Sequence, residues 1–461
     1  MIKQKARLVA RGFVQQEGID YDDTFAPVAR MESVWVLLAL AAQEGWGVHH
    51  MDVKWAFLNG DLKEEVYVQQ PPGYAVAGEE KVYKLCKALY GMRQAPRAWN
   101  AKLNATLKKM GFQQSAHEAA MYRRGCGRTV LLVGIYVDDL IITGTGDEEV
   151  EAFKAQMKQT FDISDLGLLS FYLGVEVHQD ATGISLRQTH YAKRILELGG
   201  MDGCNPAHTP MEERLRLSRN NTAAEVDPTH YRHLIGSLRY LVHTRPEPAF
   251  AIGYVSRFME WPTVEHQAAV KRILRYIAGT LDFGLHFTKA PGSACFIGYT
   301  DSDLAGDVDT SQSTSGVLFF LGNCLVSWHS IKQKVVAVSS CEAEYIAAST
   351  AATQALWLSR LLAELLDRNV EEVELKIDSK SALALAKNPV FDEKSKHIRI
   401  KYHFLRSCLE DGTIKAEHVC TTDQLADILT KSLGKARFHE MRGRIGLRQI
   451  NPKAHNAKGE N

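Results

Sequence analysis

At 461 residues the chain has room for roughly two to four domains with cores of their own, which excludes a small scaffold that needs disulfides or a metal to fold. Apolar residues make up 45% and charged residues 24%, the balance of a globular protein rather than a disordered or fibrous one. Lys plus Arg number 55 against 54 Asp plus Glu, so no global charge points to nucleic acid or a membrane, and any such partner must be read from local patches.

In chain order, residues 1 to about 30 alternate and turn. "RMESVWVLLALAAQEG" then places Val34, Leu37, Leu38 and Ala41 at helical spacing. A short strand runs into Asp52 in "WGVHHMDVKWAFLNGDL", and the prolines of "VYVQQPPGY" break what precedes them. "KALYGMRQAPRAWNAKLNATLKKMGF" reads as a turn and a long amphipathic helix. "GIYVDDLIITG" reads as a hairpin with Asp138 and Asp139 at its tip, and "EEVEAFKAQMKQTFDI" as a helix with Val150, Phe153 and Met157 on one side. From about 171 to 290, strands give way to helices.

A new organisation begins near Pro291. "ACFIGYTDSD", "SGVLFFLG" and "LVSWHS" read as three successive strands. A helix from about 342 to 367 follows, with Leu358, Leu361, Leu362 and Leu365 at i, i+3, i+4 and i+7. "VELKID", "SKSALALAK", "TIKAEHV" and "TDQLADILTK" then alternate strand and helix, which makes a mixed sheet with helices against it. The tail from 436 to 461 is polar at its end.

The eight cysteines form no C-x-x-C pair, so a reducing compartment and no structural zinc are expected. No apolar run reaches the length of a membrane span. The basic start lacks the apolar core of a secretory signal and no other targeting signal is evident, so a soluble intracellular protein is expected.

Two adjacent carboxylates repel and raise each other's pKa, so Asp138 and Asp139 call for a positive charge, and a divalent cation fits. If Asp52 lies on a neighbouring strand, three acids converge on one sheet end, as two-metal phosphoryl transfer requires. Asp also favours turns, and on the residues alone both readings stay open.

The strings "KARLVARGFVQQEGIDYDDTFAPVAR", "MDVKWAFLNGDLKEEVYVQQPPGY", "KALYGMRQAPRAWN" and "YVDDLIITG", in this order, resemble the reverse transcriptase of copia-type LTR retrotransposon Pol polyproteins. "GYTDSDLAGDVDTSQSTSG", "SWHSIKQKVVAVSSCEAEYIAA" and "DQLADILTK" resemble the RNase H domain that follows it. The resemblance reaches nearly to residue 435. It implies an α+β and α/β protein, a palm–fingers–thumb polymerase followed by an RNase H-like mixed-sheet domain. Residues 1–170 would be fingers and palm, truncated at the N-terminus, 171–290 thumb or connection, and 291–435 RNase H-like.

Carried over residue by residue, the resemblance implies Asp52, Asp138 and Asp139 as polymerase metal ligands, and Asp301, Glu344, Asp378 and Asp427 as those of the nuclease. Each centre would take two Mg²⁺ or Mn²⁺ ions. Phe57 would sit beneath the incoming sugar and exclude a 2′-hydroxyl, or be an ordinary core aromatic. Tyr90, Gly91 and Gln94 would touch template and nucleotide. Lys5 and Arg7 would hold a triphosphate, or be solvated surface charges.

Lys394, Lys396, Arg399, Lys401 and Arg406 would line a phosphate-backbone groove, or a solvated helix face. His418 would serve the nuclease loop, in product release or in structure. Trp55 and Leu304 depart from the family pattern, which commonly has a small residue and a Trp at those places.

The partners implied are an RNA template, a DNA primer, an RNA–DNA hybrid and deoxynucleoside triphosphates, with no membrane and a homodimer left open. The implied location is a cytoplasmic virus-like particle or the nucleus. The rival expectation is a catalytically inactive relic or co-opted protein that grips nucleic acid without polymerising.

Overall fold

The computed structural model describes residues 7–71, 73, 81–126, 129–290, 294–387 and 404–450. Lys5, Lys394, Lys396, Arg399 and Lys401 lie outside these residues, and of that basic run only Arg406 lies within them. The architecture is mixed α and β with several sheets. The first predicted helix is α1, Met31–Glu44. Val34 through Ala42 are all buried along it, as befits a helix that is apolar on nearly every face.

The chain divides into two compact units. The first comprises the described residues within Met1–Val34, Trp46–Leu169 and Glu364–Asp367. Its strands are β1 (Val48–Val53), β2 (Asp61–Gln69), β3 (Val82–Lys87), β4 (Gln113–Gln114), β5 (Met121–Cys126), β6 (Thr129–Tyr136), β7 (Asp139–Gly144) and β8 (Ile163–Leu168). Its helices are α2 (Ala95–Lys109) and α3 (Asp147–Thr160). β2 and β3 pair by themselves, and the other six form one sheet in the order β4-β5-β6-β7-β1-β8.

Alternation decides which face of this sheet is apolar. Met51, Val53, Leu131, Val133, Ile135, Leu140 and Ile142 share one core with Trp99, Leu103 and Leu107 of α2 and with Val150, Phe153 and Met157 of α3. Each fully buried side chain of this kind contributes about 1.5–3 kcal/mol. His50 and Asp52 alternate with Met51 and Val53, so they stand on the opposite face.

The second unit comprises the described residues within Trp35–Gly45, Ser170–Ala363 and Arg368–Asn461. β9 (Phe171–Tyr172), β10 (Val175–Asp180) and β11 (Gly183–Arg187) precede four helices, α4 (Thr189–Leu198), α5 (Pro228–Leu241), α6 (Ala249–Val255) and α7 (Val264–Ala278). β12 (Phe283–Thr288) returns to the first three strands, giving an antiparallel sheet closed by β18 (Leu447–Gln449) in the order β18-β12-β11-β10-β9.

The second sheet of this unit is mixed, in the order β15-β14-β13-β16-β17. β13 (Phe296–Ser302), β14 (Thr314–Leu321) and β15 (Cys324–Lys332) are antiparallel, whereas β16 (Val373–Ile377) and β17 (Ile414–His418) run parallel to β13. All eight residues of β14 are buried. α8 spans Ser340–Leu366 and buries Leu358, Leu361, Leu362 and Leu365, the stripe its spacing predicted. α9 (Lys380–Lys387), α10 (Phe404–Glu410) and α11 (Lys435–Arg444) complete the unit.

One expectation needs correction. "TDQLADILTK" is not an α-helix but two short 3-10 turns, Thr421–Asp423 and Leu425–Leu429. The fully buried Gln424 separates them: its amide nitrogen donates to Thr300 O at 2.8 Å, and its amide oxygen accepts from Ala426 N. That long-range anchor outcompetes a continuous helical ladder.

Two candidate carboxylate centres

The first centre is a hairpin tip. Tyr136 pairs with Asp139 across β6 and β7, leaving Val137 and Asp138 as a two-residue loop. Val137 has φ +58°, costly for a β-branched side chain. Two bonds hold it there. Trp99 Nε1 donates to Val137 O at 2.7 Å, and Val53 N donates to Asp138 O at 2.9 Å. Asp52 stands opposite Asp139 in the β1–β7 ladder.

The three acids therefore share one end of the sheet. Burial raises the Asp138 pKa, its own backbone hydrogen bond opposes that, and the neighbouring Asp139 and Asp52 raise it further against a smaller pull from Arg7. Asp139 Oδ1 lies 2.7 Å from His50 Nε2, a partner that sequence reasoning missed. His50, two residues before Asp52, shares its face of β1.

Around this tip lie most of the expected substrate residues. The Phe57 ring is 5.1 Å from that of Tyr90, and Phe57 packs against the core. The Arg7 guanidinium lies 4.9 Å from the Tyr90 ring centre. Burial raises the Tyr90 pKa, and the charges of Asp138 and Asp52 add to it against the opposing pull of Arg7. Gly91, at φ +89°, lies against Ala10 and Val9.

Gln94 is a different case. It is 1% exposed, its amide oxygen accepts from Gln15 Nε2 at 3.0 Å and its amide nitrogen donates to Asp20 O at 3.0 Å. It ties down the 15–20 loop. Trp55 adopts φ +57° and is 44% exposed; Leu304, in the second unit, is exposed as well.

The second centre gathers acids from four elements. Asp301 lies near the end of β13, Glu344 in the first turns of α8, Asp378 just after β16 and Asp427 in the Leu425–Leu429 turn. β13 and β16 are adjacent and parallel, so Asp301 and Asp378 reach the same sheet edge. Asp301, Glu344 and Asp378 each bring a carboxylate oxygen within 4.8 Å of the others, and among the described residues no other His, Cys, Asp or Glu group does so. Asp52, Asp138 and Asp139 do not close to that spacing.

Burial, then the charges of Asp301 and Asp378, push Glu344 up to about 9. Burial and Asp301 push Asp427 to about 6 against the pull of Lys431. Burial, then Asp301, also raises Asp378. Glu344 Oε1 accepts from Ser302 N at 3.2 Å, while its buried Oε2 has no hydrogen-bond partner. An all-oxygen set with an orphaned buried oxygen suits a hard divalent cation.

Nearby acids face elsewhere. Asp303 accepts from Thr314 N at 2.6 Å, Glu342 from Val338 N at 2.8 Å, and Asp423 from Arg444 at 3.1 Å. Lys431 Nζ, unforeseen from sequence, lies 2.8 Å from Asp427 Oδ1 and 3.6 Å from Asp301 Oδ2. Burial opposes its charge, yet Asp301 and Asp427 raise its pKa. His418 is exposed at the end of β17, opposite Ile377 and thus beside Asp378 in the ladder. Arg406 donates to Leu385 O at 3.0 Å.

Residues 1–213 match the family described as reverse transcriptase (RNA-dependent DNA polymerase). The chain is 39% identical over 451 residues to the retrovirus-related Pol polyprotein from transposon RE1 of Arabidopsis thaliana, covering 98% of this chain and 31% of that one. It is 38% identical to the counterpart from transposon TNT 1-94 of Nicotiana tabacum, over 97% of this chain and 34% of that one. The putative transposon Ty5-1 protein of Saccharomyces cerevisiae is 31% identical over 65% of this chain and 98% of its own length.

Among solved structures, the N-terminal RNase H domain of a Mycobacterium tuberculosis protein, fused to maltose binding protein, overlaps 33% of this chain at TM-score 0.22 and 14% identity, covering 98% of that chain. The chain thus spans about a third of the length of the RE1 and TNT 1-94 polyproteins it matches. With the carboxylate hairpin inside the matched segment, it belongs to the reverse transcriptase family of copia-type retrotransposon Pol polyproteins.

Proposed function

We propose that the chain is an RNA-directed DNA polymerase with RNase H activity, working by phosphoryl transfer at both centres. In this reading residues 1–170 supply fingers and palm, 171–290 thumb or connection and 291–435 the hybrid nuclease. The observation that carries it is the pairing of Asp52 with Asp139 across β1 and β7, with Asp138 in the loop between strands. Asp52, Asp138 and Asp139 would hold divalent cations at the first centre, and Asp301, Glu344, Asp378 and Asp427 at the second. When bound, such ions stabilise charge on the attacking and leaving oxygens of an in-line displacement.

The residues have distinct tasks. Phe57 and Tyr90 form an aromatic wall beside the three acids, where a 2′-hydroxyl would meet the Phe57 ring. Arg7 offers a cation to the triphosphate of the incoming deoxynucleotide. At the second centre Asp301, Glu344, Asp378 and Asp427 would hold the divalent cations, which supply the positive charge an anionic RNA strand needs for attack by water.

Magnesium-dependent primer extension on an RNA template tests the first activity, against a variant carrying Asp138→Asn and Asp139→Asn. Hybrid cleavage with Asp378→Asn tests the second. One observation favours the rival reading of a nucleic-acid-gripping protein that does not polymerise: Asp52, Asp138 and Asp139 do not close to the 4.8 Å spacing that Asp301, Glu344 and Asp378 reach. No extension by the parent chain, with hybrid binding retained, would decide for it.

A further inference from the structure

The four acids of the second centre do not share one environment. Asp301, Glu344 and Asp378 converge within 4.8 Å, and the free Glu344 Oε2 is buried among them. The flank between Asp301 and Asp427 already holds a positive charge. Lys431 Nζ is 2.8 Å from Asp427 Oδ1 and 3.6 Å from Asp301 Oδ2, and the Thr430 hydroxyl donates to the same Asp301 oxygen.

Local backbone geometry puts the ammonium there. Thr430 N and Lys431 N both donate to Asp427 O at 3.2 Å. The chain therefore wraps back on itself, and the residue 431 side chain returns over the carboxylate four positions earlier. The Lys431 side chain is 43% exposed, so it has solvent into which it can withdraw.

We propose that Lys431 fills a second cation position in the free protein, so that the nuclease centre binds one divalent ion, through Asp301, Glu344 and Asp378, until Lys431 withdraws. An ammonium and a second divalent cation would compete for the same two oxygens, Asp427 Oδ1 and Asp301 Oδ2, and repel each other strongly in a partly desolvated site. The lysine neutralises Asp427 and Asp301 while no second ion is present. This rests on the nuclease reading above and adds to it a residue that sets metal stoichiometry.

The test counts Mn²⁺ alone on the full chain, with Asp52→Asn, Asp138→Asn and Asp139→Asn silencing the first centre. Free Mn²⁺ is read by electron paramagnetic resonance. The expected result is one tightly bound ion with Lys431 intact or as Lys431→Arg, and two at the same free Mn²⁺ for Lys431→Met and Lys431→Gln. Circular dichroism selects the variants that fold, and the two neutral replacements guard against loss of either.

Two ions with Lys431 intact, or one in both folded neutral variants, overturns the proposal and leaves the nuclease reading standing. No bound ion in the parent, or binding unaffected by Asp378→Asn, overturns that reading and the proposal with it.

Discussion

His50 Nε2 lies 2.7 Å from Asp139 Oδ1, diagonally across the ladder in which Asp139 stands opposite Asp52. The imidazole fixes the direction of a carboxylate that would otherwise turn about its χ angles at the end of a strand. Partners that orient a metal-binding carboxylate typically matter about 10–100-fold in metal affinity or activity. His50→Ala is expected to lower primer extension within that range and to raise the Mg²⁺ concentration needed for half-maximal rate. Hybrid cleavage should stay at the parent level, and His50→Asn should recover part of the loss. An unchanged Mg²⁺ dependence would refute the positioning role.

Gly91 carries a second expectation. Its φ of +89° disfavours any side chain, and a Cβ there would collide with the Ala10 carbonyl oxygen and the Val9 side chain. Tyr90 O also accepts from Ala10 N at 2.7 Å, so the 7–21 segment rests on this turn. Gly91→Ala should cost about 1–3 kcal/mol and displace Arg7 from Tyr90. Primer extension should fall with a raised KM for the nucleotide, while hybrid cleavage persists. Steady-state kinetics of the two activities on one preparation would check it.

The second centre predicts a pH dependence with a definite sign. Burial, then Asp301 and Asp378, lift Glu344 from 4.5 to about 9 without a metal. The folded protein then holds a proton that the unfolded chain has released. Stability falls as pH rises through the window from 4.5 to about 9, the penalty being absent below it and complete above it. Melting in a chelator should therefore drop across this range, and Glu344→Gln should flatten the drop. Mg²⁺ should raise the melting temperature more at pH 8 than at pH 5.5, because metal and proton compete for the same oxygens. Asp427, raised to about 6, leaves a slope of its own at lower pH, so a slope that survives Glu344→Gln above that value would refute the assignment.

What the sequence shows and hides follows from the range of each interaction. The β6–β7 hairpin is legible because β-branched runs flank a two-residue turn, and α8 because its leucine spacing is periodic. The bonds of Gln94 are not legible because its partners, Gln15 and Asp20, lie 79 and 74 residues away. The Gln424 anchor to Thr300, 124 residues off, breaks a segment whose local pattern is helical. His50, two residues before Asp52, and Lys431, four after Asp427, carry spacings too common in strands and helical turns to mark them before the fold set them against acids. The acids themselves gained meaning only from the resemblance, since each alone is an ordinary turn or cap residue.

Away from both centres, Arg245 offers a test of how the second unit is held together. It is 2% exposed, and its Nε donates to Glu247 Oε1 at 2.7 Å. Its Nη atoms donate to Thr280 O at 2.9 Å and Thr280 Oγ1 at 2.7 Å. Tyr276 OH also donates to Glu247 Oε1, at 3.1 Å, so the network ties the segment before α6 to the end of α7.

A buried pair is strongly missed when one partner goes, since the other charge is left in a low dielectric, whereas replacing both is often neutral. Arg245→Met should therefore destabilise by about 3–5 kcal/mol, and Arg245→Met with Glu247→Leu should recover most of that. Urea denaturation followed by circular dichroism reads the order directly. If the double variant proves no more stable than Arg245→Met, the guanidinium acts through its bonds to Thr280 and not through the charge of Glu247.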